Sequence, residues 1–251
     1  MGDLQYHIHA GPGDVGEAVL LPGDPGRVET IARLFDRPRL IARNREFTIF
    51  TGELEGRKIS VCSTGIGSPS TAIAVEELCA VGARVLIRVG TTGSIQRGIG
   101  FGDLVVATAA VRDEGTTPPY VPPGYPAVAD FGLVQAMMAS GRRRGYRTHA
   151  GIVRSHDALY ADLHADQMPR REELEQAGRL WSRAHVLCND MESSAIFVLC
   201  SLKGLRGASV LTVVNEPGEE DIDPARVAEL DLTPMFHLAL DAIRELLPVN
   251  A

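Results

Sequence analysis

The stretch Ala83-Arg-Val-Leu-Ile-Arg-Val-Gly-Thr-Thr-Gly-Ser94 decides the fold. Apart from its two arginines, the first half is apolar and rich in β-branched residues, as in a strand buried on both faces of a sheet. From Gly90 onward it reads as a glycine and threonine turn, so Arg88 is expected to leave the sheet where loops gather ligands. Gly90 and Gly93 release backbone N–H groups, Thr91 and Thr92 add hydroxyls, and a guanidinium held at a strand end completes a cradle suited to phosphate. The same residues fit a plainer arrangement, a strand-end arginine paired with a carboxylate and followed by an ordinary turn.

Two further segments repeat the pattern. Ala18-Val-Leu-Leu-Pro-Gly-Asp-Pro-Gly-Arg27 runs from an apolar strand into a turn and then into a helix beginning near Arg27. An anion there would meet a helix N-terminus as well as Arg27. Cys62-Ser-Thr-Gly-Ile-Gly-Ser-Pro-Ser70 likewise follows an apolar run and opens a helix. None of the three is a nucleotide P-loop, because no GxxxxGK[ST] occurs in the chain.

Working outward, strands are expected near 18–21, 47–54, 58–63, 85–89, 104–111, 150–154, 186–189 and 209–215. Helices are expected over 25–34, 70–81, 130–144, 191–203 and 233–247. This alternation calls for an α/β fold in which a mixed central sheet is flanked by helices. At 251 residues and 45% hydrophobic content, the chain is expected to form a single domain spanning 1–251. The segment Pro118-Pro-Tyr-Val-Pro-Pro-Gly-Tyr-Pro126 is short for a linker and reads as a surface loop or subunit contact.

The formal charge of -7 and the isolated basic cluster Arg142-Arg-Arg144 argue against nucleic acid. No apolar run approaches the length of a membrane span, and residues 1–7 lack the regions of a signal peptide. A cytoplasmic protein is expected. Cys62, Cys79, Cys188 and Cys200 lack metal-ligand spacing and read as buried free thiols.

Taken together, LPGDPGR (21–27), STGIGSPST (63–71), RVGTTGSIQ (88–96) and DMESSA (190–195) resemble the nucleoside phosphorylase-I family, which holds uridine phosphorylases and hexameric purine nucleoside phosphorylases. The resemblance runs from about His7 to about Asn215, and ValArgAspGluGly (111–115) and AlaValAlaAspPhe (127–131) look closest to the uridine branch. It implies phosphorolysis of a nucleoside to free base and ribose 1-phosphate, with inorganic phosphate as co-substrate and no other cofactor. Phosphate binding would fall to Gly23, Arg27, Arg88 and Thr91, with Arg45 reaching in from a neighbouring subunit. Ribose would be held by Met191, Glu192 and His7, the last also lent by a neighbour. Base contacts would come from Thr92, Gly93, Leu159 and Glu216. A homo-oligomer follows, a hexamer built as a trimer of dimers. A monovalent cation between subunits would use Glu46, Ile66 and Ser70.

Three positions depart from the family pattern. Asp190 stands where the family has Glu, and Leu163 and Ala165 stand where uridine phosphorylases read uracil with Gln and Arg. Gln167, His164 or Arg154 would have to substitute from a shifted loop. Glu216 stands where purine phosphorylases place an acid for N7, and a partly buried carboxyl there would act as general acid. Its run of acidic neighbours fits a solvated loop equally well. Specificity lies in contacts, so the expectation leans to inosine or guanosine, with Arg88 and Glu216 as the catalytic pair. Uridine phosphorylase is the alternative. A nucleosidase is disfavoured because three retained arginines would have no dianion to bind, and a non-catalytic nucleoside-binding protein is the last reading.

Overall fold

The computed structural model describes residues 4–219 and 221–247. Strand β1 (Ala18–Leu21) is fully buried and pairs in parallel with β4 (Arg57–Cys62) on one side and β5 (Val85–Ser94) on the other. Side chains along these strands alternate between two cores. Val19, Leu21 and Leu86 enter one, while Ala18, Leu20, Val85, Ile87 and Val89 enter the other. Such continuous apolar runs mark a sheet covered on both faces.

The first core is closed by α2 (Ser68–Ala80) and α6 (Ser193–Leu202). The second is closed by α1 (Val28–Ala32), α3 (Phe131–Arg144) and α8 (Thr233–Leu246). Helix α3 has the ends its sequence specifies. Asp130 Oδ1 accepts from Leu133 N–H at 2.9 Å, and Gly145 closes the other end in the left-handed region at φ 70°.

Beyond β5 the sheet curls back on itself. β5 pairs with β10 (Arg206–Asn215), β10 with β6 (Leu104–Asp113), β6 with β8 (Thr148–His156), β8 with β9 (Cys188–Asp190), and β9 with the end of β5. These five strands form a closed ring, to which β7 (Ala127–Val128) adds at β6. On the other side, β2 (Asp36–Asn44) and β3 (Phe47–Leu54) extend the sheet antiparallel beyond β4. The parallel and antiparallel pairings make it the expected mixed α/β sheet.

Several local expectations change. Gly90 to Ser94 are not a turn but the second half of β5, paired with β10 over Gly90 to Gly93 and with β9 at Gly93 and Ser94. Gly90 is needed there because a Cβ would lie 2.8 Å from Arg88 Cζ. The helix expected over 25–34 is a 3-10 turn at Pro25–Arg27 followed by only five α-helical residues, so Arg27 sits in a turn rather than at a long helix N-terminus. Gly11-Pro-Gly-Asp-Val-Gly16 has dinucleotide-loop spacing but precedes β1 instead of following a strand. Gly16 serves packing, since a Cβ there would lie 2.3 Å from the Lys58 carbonyl oxygen.

The loop 118–126 is held on the surface by Arg112, whose guanidinium donates to the carbonyls of Val121, Pro122 and Tyr125. All four cysteines are free, although Cys79 is only half-buried. Burial pushes the Cys188 thiol up to about 12. Among the described residues no helix is long and apolar enough to cross a membrane.

Candidate active site

A cavity of about 260 Å³ opens where β1, β5, β9 and β10 end. Arg88 lines it from mid-β5, buried to 5% exposure. Its Nε donates to Asp190 Oδ2 at 3.0 Å, and its Nη2 lies 2.5 Å from Glu192 Oε2. The arginine is thus paired with carboxylates, as in the plainer arrangement, and also lines the cavity. Nη1 has no protein acceptor among the described residues.

Arg27 lines the same cavity with only a distant partner, Asp24 Oδ2 at 3.7 Å. Burial lowers the pKa of its guanidinium, Asp24 opposes that, and the charge of nearby Arg88 lowers it further. An anion bound beside Arg27 would offset both the burial and the neighbouring charge that disfavour its cation. Gly23 and Thr91 line the cavity with them.

Asp190 is fully committed inside the protein. Its oxygens accept from Arg88 Nε, Ser155 Oγ, Ser193 Oγ and Ser193 N–H. These bonds hold the segment before α6 in place, which is why that helix starts at Ser193 rather than Met191. Glu192 has spare capacity. Its Oε1 accepts from Gly67 N–H at 2.6 Å, whereas its buried Oε2 faces Arg88 without a hydrogen bond. Burial raises the Glu192 pKa, Arg88 opposes, and Asp190 adds to the rise. Met191 also lines the cavity, its carbonyl accepting from Ser68 Oγ at 2.8 Å. A buried carboxylate oxygen that is ion-paired with Arg88 but accepts no aligned hydrogen bond keeps lone-pair capacity for hydroxyls of a neutral ligand part.

Thr92, Gly93 and Leu159, the residues expected at the base, line the cavity. Thr92 Oγ1 donates to Asn189 O, which leaves its side chain tied to β9.

Glu216 does not line the cavity. A register irregularity between Val213 and Asn215 in β10 puts both Val214 and Asn215 on the cavity wall. Glu216 turns outward instead, its Oε1 accepting from Phe101 N–H at 2.9 Å and pairing with Arg226 Nη2 at 3.3 Å. The expected general acid is therefore not at the site.

His7, Arg45, Glu46 and Ser70 also lie outside the cavity lining. His7 Nδ1 pairs with Glu77 Oε1 at 2.7 Å, while its carbonyl accepts from Asn44 Nδ2 and its ring packs edge-on to Phe47. It therefore sits beside the β2–β3 turn that carries exposed Arg45 at φ 52°. The two residues expected from a neighbour are thus close together on one surface. Glu46 and Ser70 flank Gly65, where a Cβ would lie 2.9 Å from Glu46 Cγ and 3.3 Å from Ser70 Oγ. Ser70 Oγ reaches the Ile66 carbonyl at 3.4 Å, and Ile66 borders the cavity.

Of the three substitute base readers, Arg154 is buried and held by Asp113 and Asp162, His164 stacks on Tyr160, and Gln167 is exposed. None of them lines the cavity. The lining does include residues the sequence did not single out: His156, Asp162, Asn189, Asn215 and Ile222. Asn189 and Asn215 each have a buried Oδ1 without a hydrogen bond. Asn215 ends β10 and Asn189 is the middle residue of the three-residue β9, and a polar residue closing an apolar strand was the available signal.

Fold and cavity define an α/β protein with a ligand-sized site in which two arginines meet four carboxylates, Asp24, Asp162, Asp190 and Glu192. The family model described as the phosphorylase superfamily matches residues 17–237. A uridine phosphorylase of Treponema pallidum is 39% identical over 245 residues, covering 98% of this chain and 95% of its own. A uridine phosphorylase of Thermococcus kodakarensis is 45% identical over 219 residues, covering 84% of this chain and 76% of its own. A guanosine phosphorylase of Halorubrum lacusprofundi is 39% identical over 211 residues, covering 83% of this chain and 82% of its own. The chain belongs to the phosphorylase superfamily and is a pentosyltransferase.

Proposed function

We propose that the chain is a nucleoside phosphorylase whose preferred substrate is uridine. The observation that carries the reading is the convergence of Arg27 and Arg88 on one cavity that Glu192, ion-paired to Arg88 through Oε2, also lines. The arginines hold and desolvate a phosphate dianion, and Glu192 accepts the ribose diol. A phosphate oxygen forms its bond to C1′ as the C1′–N bond breaks. The base leaves with the bonding pair and takes its proton from solvent. Positive charge developing on the ribose in the transition state is offset by the phosphate and by Glu192.

The uridine preference is supported by two relatives named for that substrate and by the outward position of Glu216, which removes the argument for purine. Guanosine is the second reading, favoured by Leu163 and Ala165 at the usual uracil-reading positions and by the relative from Halorubrum lacusprofundi. The active unit is at least a dimer, in which His7 and Arg45 of one subunit complete the site of another. Glu46, the Ile66 carbonyl and Ser70 offer only oxygen donors, which suits a hard monovalent cation at that junction.

The test is base release from uridine, inosine and guanosine with and without inorganic phosphate. Release should require phosphate, yield ribose 1-phosphate and be fastest for uridine. Equal turnover in phosphate-free buffer would mean hydrolysis and overturn the reading.

A further inference from the structure

Helix α4 (Leu159–Leu163) presents a carboxylate to the cavity that the family pattern does not use. Asp162 lies one residue before the leucine that replaces the usual glutamine. Its Oδ2 accepts from Arg154 Nη1, a guanidinium whose Nε is held by Asp113 at 2.7 Å. The same Oδ2 is 3.7 Å from His156 Nε2. Oδ1 has no protein donor among the described residues. Arg154 thus fixes the aim of the carboxylate by one oxygen and leaves the other for a ligand.

The surroundings fit a flat heterocycle. Leu159, Leu163, Val214 and Ile222 supply apolar walls around Asp162 and His156. Burial lowers the His156 pKa, Asp162 opposes, and Arg154 lowers it further, so the imidazole is neutral near pH 7. An ionised carboxylate only accepts hydrogen bonds. Facing a ring nitrogen that bears a hydrogen it gains a charge-assisted bond, and facing a ring lone pair it meets repulsion.

We propose that Asp162 is the base-reading residue, accepting a ring N–H of the nucleobase through its free oxygen. The site then admits bases with a ring N–H on that edge, namely uracil, hypoxanthine and guanine. It rejects cytosine and adenine, which place a lone pair there. The inference rests on the nucleoside phosphorylase reading and supplies what Leu163 and Ala165 lack.

The test is calorimetric titration of uridine, cytidine, inosine and adenosine without phosphate, where no turnover occurs, on the wild type and on Asp162→Asn. The variant keeps an oxygen for Arg154 and turns an amide N–H₂ towards the base. Wild type should bind uridine over cytidine, and inosine over adenosine, by about 100-fold, since sites built to pair a polar group reject analogues strongly. The variant should shrink both ratios at least tenfold and tighten cytidine binding. Unchanged ratios in a folded variant would show that Asp162 only supports Arg154 and would overturn the proposal. If the variant does not fold, equal affinity of the wild type for uridine and cytidine refutes it, and a preserved 100-fold ratio that Asp162→Ser abolishes upholds it. Phosphate-dependent release is assayed separately. Its absence alongside an Asp162-dependent ratio would sink the phosphorylase reading and leave this one standing.

Discussion

Replacing Glu192 by glutamine separates two jobs that one side chain performs. Oε1 accepts from Gly67 N–H at 2.6 Å, and Oε2 lies 2.5 Å from Arg88 Nη2 with no hydrogen bond of its own. A glutamine keeps the first contact with its amide oxygen, which turns N–H₂ towards Arg88 and the cavity. The ribose diol then loses a charged acceptor. A hydrogen bond to a charged group contributes about 1.5–3 kcal/mol, so two such bonds amount to about 3–6 kcal/mol. At about 1.4 kcal/mol per tenfold, kcat/KM for uridine should fall roughly 10²- to 10⁴-fold. An amide facing a guanidinium also disturbs the phosphate side, so the fall alone does not isolate the diol. Comparing uridine with 2′-deoxyuridine in both proteins does. The penalty for losing the 2′-hydroxyl should be about tenfold or more in wild type and shrink to near unity in the variant. An equal penalty in both would refute the assignment.

The same carboxyl predicts a pH dependence. Burial raises its pKa above the usual 4.5, with Arg88 opposing and Asp190 adding to the rise. Its contribution to stability is then complete below 4.5 and is lost as pH rises through the raised value. The anion is the form that accepts the diol, so kcat/KM should show an acid limb above 4.5 that disappears in Glu192→Gln.

Two further outcomes follow from the same geometry. Arg88→Ala leaves Asp190 and Glu192 buried without the cation between them, at a cost of about 3–5 kcal/mol, or about 6–20 °C in Tm for a chain of this size. The folded variant should also need far more phosphate, and an unchanged phosphate KM would contradict the dianion role. Mixing Arg45→Ala with Glu192→Gln subunits should restore activity that neither variant has alone, since a mixed dimer holds one intact site. No recovery after subunit exchange would argue against sharing.

Much of the fold is legible because its strands are buried on both faces. Val19, Leu21 and Leu86 facing one core and Leu20, Val85 and Ile87 the other leave an unbroken apolar run that needs no partner to be recognised. Elements without such burial are silent. β2 carries Arg37, Pro38, Arg39 and Arg43 along an exposed edge and is held by its ladder to β3. The helix α5 (Arg171–Arg183) has only a thin apolar stripe, Leu174, Ala177 and Trp181, none of them fully buried, and surface pairs such as Arg171 with Glu175 support the rest, so its sequence signal is weak.

The same division runs through the site. Arg88 and Thr91 sit within β5, Gly23 and Arg27 in the turn after β1, and Met191 and Glu192 directly after β9, so the register of these strands brings all six to one cavity. The base side rests on α4 and on the exit from β10, where register gives no such constraint. One irregularity between Val213 and Asn215 sends Glu216 to Phe101 and Arg226 and brings Val214 and Asn215 inward. Position in a motif therefore identifies a side chain that belongs to the sheet, but not one that follows a bulge. The chemistry of base choice has to be sought among the groups that reach the cavity. Asp162 is the carboxylate on α4, where Leu159 and Leu163 line the cavity beside it and only its Oδ2 has a protein partner among the described residues.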